Sequence, residues 1–190
     1  MSPRSFGPTV LAFGVVLATT GLNHSAAAQS IAQHPGDHPA YSFEAEPHLA
    51  LPLGLDGFGP GFRGTVVLVD NGFVSSINNS VGLGFGLDWI FYGHGCHGPD
   101  RDRHCDAPSG VILPVVMQWN FWLHPHWSVF GEPGIAFHVQ GGPNDHFDFD
   151  WFTIYVGGRY HFSDNVALTM RLGAPLLHDN VFSIGVSFLL

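Results

Sequence analysis

The chain has 190 residues, of which 45% are apolar and 14% aromatic, and only 11% are charged. Soluble domains carry about 25% charged residues, so a solvated surface is under-supplied, while the apolar content excludes a disordered chain. The six basic residues are all Arg, they face 15 acidic ones, and the formal net charge of -9 excludes nucleic-acid binding through a basic patch.

The first residues have the anatomy of a secretory signal: Arg4 as the positive start, Val10 to Thr19 as the apolar stretch, and Ala26 and Ala28 at a small-residue cleavage site. Cleavage is expected near Ala28, which makes residues 1–28 a signal peptide and residues 29–40 a flexible lead-in. The apolar stretch is too short to serve as a spanning helix. The two cysteines, Cys96 and Cys105, lie in one Gly/His/Asp-rich loop, and in an exported chain such a pair is expected to form a local disulfide.

Downstream, apolar and small or polar residues alternate with period two in stretches of about ten residues, separated by turn chemistry. Eight strands follow in chain order: Ser42 to Leu51, Phe62 to Val69, Ser80 to Phe91, Val111 to Trp122, Trp127 to Val139, Phe152 to Phe162, Val166 to Ala174, and Phe182 to Leu190. Every charged strand residue falls on one phase: Glu44, Glu46, Arg63, Asp88, Glu132, Arg159 and Arg171. The opposite phase is uncharged. It carries Trp89, Phe91, Trp119, Phe121, Trp127, Tyr160 and Phe162 near strand ends, where the aromatic girdles of a membrane barrel sit. The charged phase is otherwise mostly Gly, Ser, Thr and Ala, which is too poor for a solvated exterior and suits a confined lumen.

With that pattern, the terminal segment Val181 to Leu190 and the segment GGRYHFSDNVALTMRLG (Gly157 to Gly173), the chain resembles the small eight-stranded bacterial outer-membrane β-barrels. The resemblance implies an all-β, antiparallel, transmembrane up-and-down barrel over residues 41–190 in the outer membrane of a Gram-negative cell. It also implies outer-membrane lipids as surroundings and recognition by the barrel-assembly machinery through Phe182 to Leu190, here ending in Leu190 where the family usually ends in Phe. Leu123 to His126 and Ser163 to Asn165 are read as periplasmic turns, and the longer connections as extracellular loops. Asp70 to Asn79 is long for such a turn, so either its flanking strands extend further or the connection has structure of its own.

The seven charges on the lumen phase, joined by His48, His138 and His161, are expected to pair into a network that plugs the barrel, because an eight-stranded barrel is just wide enough for side chains to fill it. The loop with His94, Cys96, His97, Asp100, Asp102, His104, Cys105 and Asp106 has metal-ligating residue types, and Asp145, His146, Asp148 and Asp150 form a second acidic stretch. The loop's spacing matches no standard zinc motif and a disulfide would consume both thiolates, so no metal and no cofactor is assigned. His161-Phe162-Ser163 has the His-x-Ser spacing of some lipid-modifying barrels but falls on the lumen phase beside a turn, so no catalytic residue is assigned. The expected function is a non-enzymatic barrel, plugged though porin-like in architecture, with a structural or interaction role through its loops. The alternatives are a lipid A-modifying barrel enzyme and a secreted lipocalin-like carrier whose apolar face points inward.

Overall fold

Among the described residues the backbone forms ten strands: β1 (Phe43–Pro52), β2 (Gly57–Val69), β3 (Asn79–Tyr92), β4 (Gly95–His97), β5 (His104–Asp106), β6 (Ser109–His124), β7 (Trp127–Gly141), β8 (His146–Ser163), β9 (Val166–Pro175) and β10 (Val181–Leu189). The computed structural model describes residues 30–53, 57–93, 95–97, 104–106, 109–141, 146–175 and 180–190, with the backbone alone at 95–97, 104–106 and 174–175. The signal peptide therefore lies outside the described residues, as do the side chains of Cys96, Cys105 and the His/Asp-rich loop.

Eight of the strands close into a barrel in which β1 hydrogen-bonds to both β2 and β10, and every neighbouring pair is antiparallel. Closure removes the exposed sheet edge that an open sheet would present. The remaining two, β4 and β5, form a short hairpin between β3 and β6, with Cys96 opposite Cys105 in the backbone register. The barrel has two dissimilar ends. Two-residue turns join β6 to β7 and β8 to β9 at what we term the turn end, whereas the β4–β5 excursion rises from the loop end.

The Asp70 to Asn79 connection is resolved in favour of structure of its own. Strand β2 stops at Val69 and β3 starts at Asn79. Between them the Gly72 amide donates to the Asn79 carbonyl, and Asn79 Nδ2 donates to the carbonyls of Val74 and Ile77.

The sixth expected strand proves longer than its alternation predicts. Strand β8 begins at His146, and its partners on β7 shift from Gly134↔Thr153 to Ala136↔Asp150, which marks a bulge. The extra residue leaves Trp151 and Phe152 both on the outside, exposed by 68% and 38%. Beyond the bulge the phase is inverted, so Asp150 is buried, 2.9 Å from His138 Nε2. The stretch His146 to Asp150 is thus strand, where the sequence reads an acidic loop. Period-two counting loses register at a bulge, and nothing local in the sequence marks one here.

The glycines of the lumen phase have a shared packing role. His48 lies between Gly61 and Gly185 on the strands either side, Arg63 opposite Gly86, Phe130 opposite Gly157, and Tyr155 opposite Gly173. A Cβ on Gly157 would run into the Phe130 ring and lie 2.5 Å from the Met170 carbonyl oxygen. Each large inward side chain therefore fills the space that a neighbouring glycine leaves empty. We expect Gly157→Ala to cost about 1–3 kcal/mol by overpacking, read as a lower urea midpoint, and adding Phe130→Leu to recover part of the loss.

Candidate functional site

The outward phase is apolar along its whole length. On β3 alone Leu83, Phe85, Leu87, Trp89 and Phe91 are each exposed by 42–46%, and similar rows run along the other strands. Trp89, Phe91, Trp119, Phe121, Trp127, Tyr160 and Phe162 all stand on this surface, near one end or the other. Several form ring pairs: Trp89 with Phe91 at 5.0 Å, Trp119 with Phe121 at 4.9 Å, and Tyr160 with both Trp127 at 4.9 Å and Phe162 at 5.2 Å. Trp119 Nε1 donates to Asn79 Oδ1 at 2.9 Å, which satisfies its single donor at the turn end.

The inward phase carries the charge. Glu44, Glu46, Arg63, Asp88, Glu132, Arg159 and Arg171 are all buried, none more than 3% exposed. Burial of this kind is tolerable only when charges meet opposite charges and hydrogen-bond donors meet acceptors. Starting from the turn end, Arg159 Nη2 donates to the Glu44 carboxylate at 2.8 Å, and its Nη1 to Asn120 Oδ1 at 2.5 Å. The Ser187 hydroxyl donates to Glu44 as well, at 2.7 Å.

One layer further in, Arg171 joins two carboxylates. Its Nη1 and Nη2 donate to the two Glu46 oxygens at 2.7 and 2.8 Å, a bidentate fork, while Nε donates to Glu132 Oε2 at 2.9 Å. Gln118 completes the set by donating to Glu132 Oε1 at 2.8 Å. The Phe130 ring lies against both guanidiniums, with Arg159 Cζ 4.2 Å and Arg171 Cζ 5.1 Å from its centroid. These contacts add cation–π attraction between buried groups.

The third layer is Asp88, held by His48 Nε2 at 2.6 Å and Arg63 Nη2 at 3.1 Å. His48 Nδ1 approaches Glu46 at 3.4 Å, which links this layer to the second. Above it the lumen turns apolar: Ala50, Ile90, Ile112, Ala136 and Val181 pack into one buried cluster with Tyr92 against it. The seven residues of the charged phase thus fall into three connected groups, and on their loop-end side lie this apolar cluster and the buried polar residues Asp150, Thr153 and His138.

Reasoning from charge alone misses Gln118, Asn120, Ser187, Phe130 and Tyr155, although each lies on the same phase as the charges. Phase membership, without regard to residue type, is the signal that finds them. His138 lies toward the loop end, its Nε2 2.9 Å from Asp150 Oδ2. His161 lies toward the turn end, its Nε2 2.9 Å from Ser128 Oγ. Ser163, the partner that the His-x-Ser spacing offers, is exposed at the turn and accepts from the Asn165 amide. Ser128 and His161 are themselves buried against Trp122, whose ring lies 4.7 Å from the imidazole. The contact pairs Ser128 Oγ with His161 Nε2 in a buried setting. The lipocalin-like alternative required the apolar phase to face inward, and the barrel turns that phase outward.

A closed eight-stranded antiparallel barrel with charges inside and apolar side chains outside is the architecture of small outer-membrane β-barrels. The chain is similar in fold to the Yersinia pestis outer membrane protein Ail in a phospholipid bilayer nanodisc, at 11% identity and a TM-score of 0.51, over 80% of this chain and 100% of that one. It is likewise similar to the outer membrane protein OprG from Pseudomonas aeruginosa, at 9% identity and a TM-score of 0.51, over 81% and 98% of the two chains. No family model matches the sequence, and no curated protein does.

Proposed function

We propose that this protein is an integral outer-membrane β-barrel that does not conduct, and that acts through the residues it presents at its loop end. The observation that carries this reading is the segregation of charge. The outward strand face holds a continuous band of large apolar side chains, while Glu44, Glu46, Arg63, Asp88, Glu132, Arg159 and Arg171 are buried in hydrogen-bonded layers. Water would not favour such an exterior; hydrocarbon does. The lumen is filled by Arg, Glu, Phe and Tyr side chains and then by an apolar layer, which supports the reading of a plug.

In this orientation the two-residue turns face the periplasm and the β4–β5 hairpin faces outward, where a Cys96–Cys105 disulfide would staple it. Strand β10, which seals the barrel against β1, and the Leu190 that follows it hold the segment Phe182 to Leu190 through which the assembly machinery would recognise the chain. The signal peptide, removed near Ala28, accounts for export. The protein is expected to sediment with outer membranes and to require detergent for extraction. Reconstituted in planar bilayers, it should give no discrete conductance steps. Recovery in the soluble periplasm would sink the membrane reading, and stepwise conductance would sink the plug.

A further inference from the structure

The turn end of the barrel is covered by the chain's own residues 30–41. Ile31 is buried in a cluster with Trp122 and Leu189, and Tyr41 packs against it. The His38 ring stacks on Trp122 at 5.3 Å with an interplanar angle of 11°, and its Nδ1 lies 2.6 Å from Asn78 Oδ1. The backbone is tied down as well: the Asn78 amide donates to the Ala32 carbonyl at 2.8 Å, and Ser30 Oγ donates to the Leu123 carbonyl at 3.1 Å. These anchors come from the β2–β3 connection, the end of β6 and the last strand, so the segment spans the mouth from side to side. Directly beneath lie Trp122, His161 and Ser128, then Arg159 and Glu44.

The attachment is slight beside that of a strand. Residues 33–37 are exposed, and the described segment joins no ladder. A segment held by one buried aliphatic side chain, the His38 and Tyr41 rings against Trp122 and a few hydrogen bonds, with no strand ladder, still belongs to the low end of local stability, below the barrel it covers. The cluster of Ala50, Ile90, Ile112, Ala136 and Val181, with the buried His138–Asp150 pair beside it, lies on the other side of the network. The short segment is therefore what stands between the charged lumen and water at the turn end.

We propose that residues 30–41 form a displaceable lid that seals the charged lumen at the turn end and opens without unfolding the barrel. Its seat is the Trp122 face, where Ile31 and His38 dock. Opening uncovers Ser128, His161 and Arg159, while the strand ladders stay intact.

The test uses the full mature chain with Cys96→Ser and Cys105→Ser, and with Ser128→Cys as a reporter that the closed lid buries. A water-soluble maleimide is the probe. In the closed protein labelling is slow; deleting residues 30–40, or replacing Ile31 by Asp, is expected to raise the rate at least tenfold. In both variants the unheated protein should still run as a folded, heat-modifiable band. Unchanged labelling in both would overturn the proposal, since the mouth would then be sealed by the barrel itself. Loss of the folded band in both would overturn it equally, because the segment would be an inseparable part of the barrel. If the deletion alone fails to fold, Ile31→Asp decides by its labelling rate.

Discussion

Replacing Arg171 by Met is expected to lower the stability of the barrel by about 3–5 kcal/mol, the range for breaking a buried ion pair from one side. Arg171 neutralises Glu46 and Glu132 together, with three charge-assisted bonds between 2.7 and 2.9 Å. Methionine leaves both buried carboxylates without the guanidinium that pairs them. The loss should appear as a lower urea midpoint in phospholipid vesicles. Adding Glu46→Gln and Glu132→Gln to Arg171→Met should recover most of it, because an uncharged set with hydrogen-bonding amides strands no charge. A single variant as stable as the parent would mean that water reaches this layer and solvates the carboxylates.

The second large effect belongs to the outer surface. Leu87 lies near the middle of β3 and faces outward, 42% exposed. Arg at the midplane of a membrane barrel costs about 2–4 kcal/mol and close to the interface only about 0–1 kcal/mol. We therefore expect Leu87→Arg to be far more destabilising in vesicles than Phe91→Arg, which lies near the strand end. The comparison is a depth gauge, since both positions present an apolar side chain to the same face of the same strand. Equal and small costs at the two positions would show that this surface does not lie in hydrocarbon. The two experiments also separate the two sides of the wall: the Arg171 penalty should persist whatever the lipid, whereas the Leu87 penalty should follow the thickness of the bilayer.

Strand phase was legible from the residues because a strand alternates its side chains with a period of two, whatever its neighbours are. Glu44, Glu46, Arg63, Asp88, Glu132, Arg159 and Arg171 could accordingly be assigned to one surface before any fold was known, and so could Trp89 and Trp127 to the other. What could not be read was the partnership across the lumen. Arg171 on β9 meets Glu46 on β1 and Glu132 on β7, positions 125 and 39 residues away in the chain. The choice of partner depends on the stagger between strands as the sheet closes, a property of the whole ring and not of any one segment.

Three features show where local reading stops. The bulge that puts Trp151 and Phe152 on the same side comes from pairing with β7, so alternation within β8 does not reveal it. The glycines of the inward phase look like filler along the chain, and only the facing strand shows that Gly157 makes room for Phe130. Residues 29–40 have no periodicity and read as a lead-in. Their seat on Trp122 exists because closure brings the β2–β3 connection, the end of β6 and the C-terminal strand around one mouth. The sequence by itself determined the eight alternating stretches that make up the barrel wall, which face of each is apolar, and that the charges of those stretches share the other. Only the tertiary structure decided which charges pair, how the lumen is closed at each end, and what covers it, because those follow from strand stagger and ring closure, which no short stretch of chain encodes.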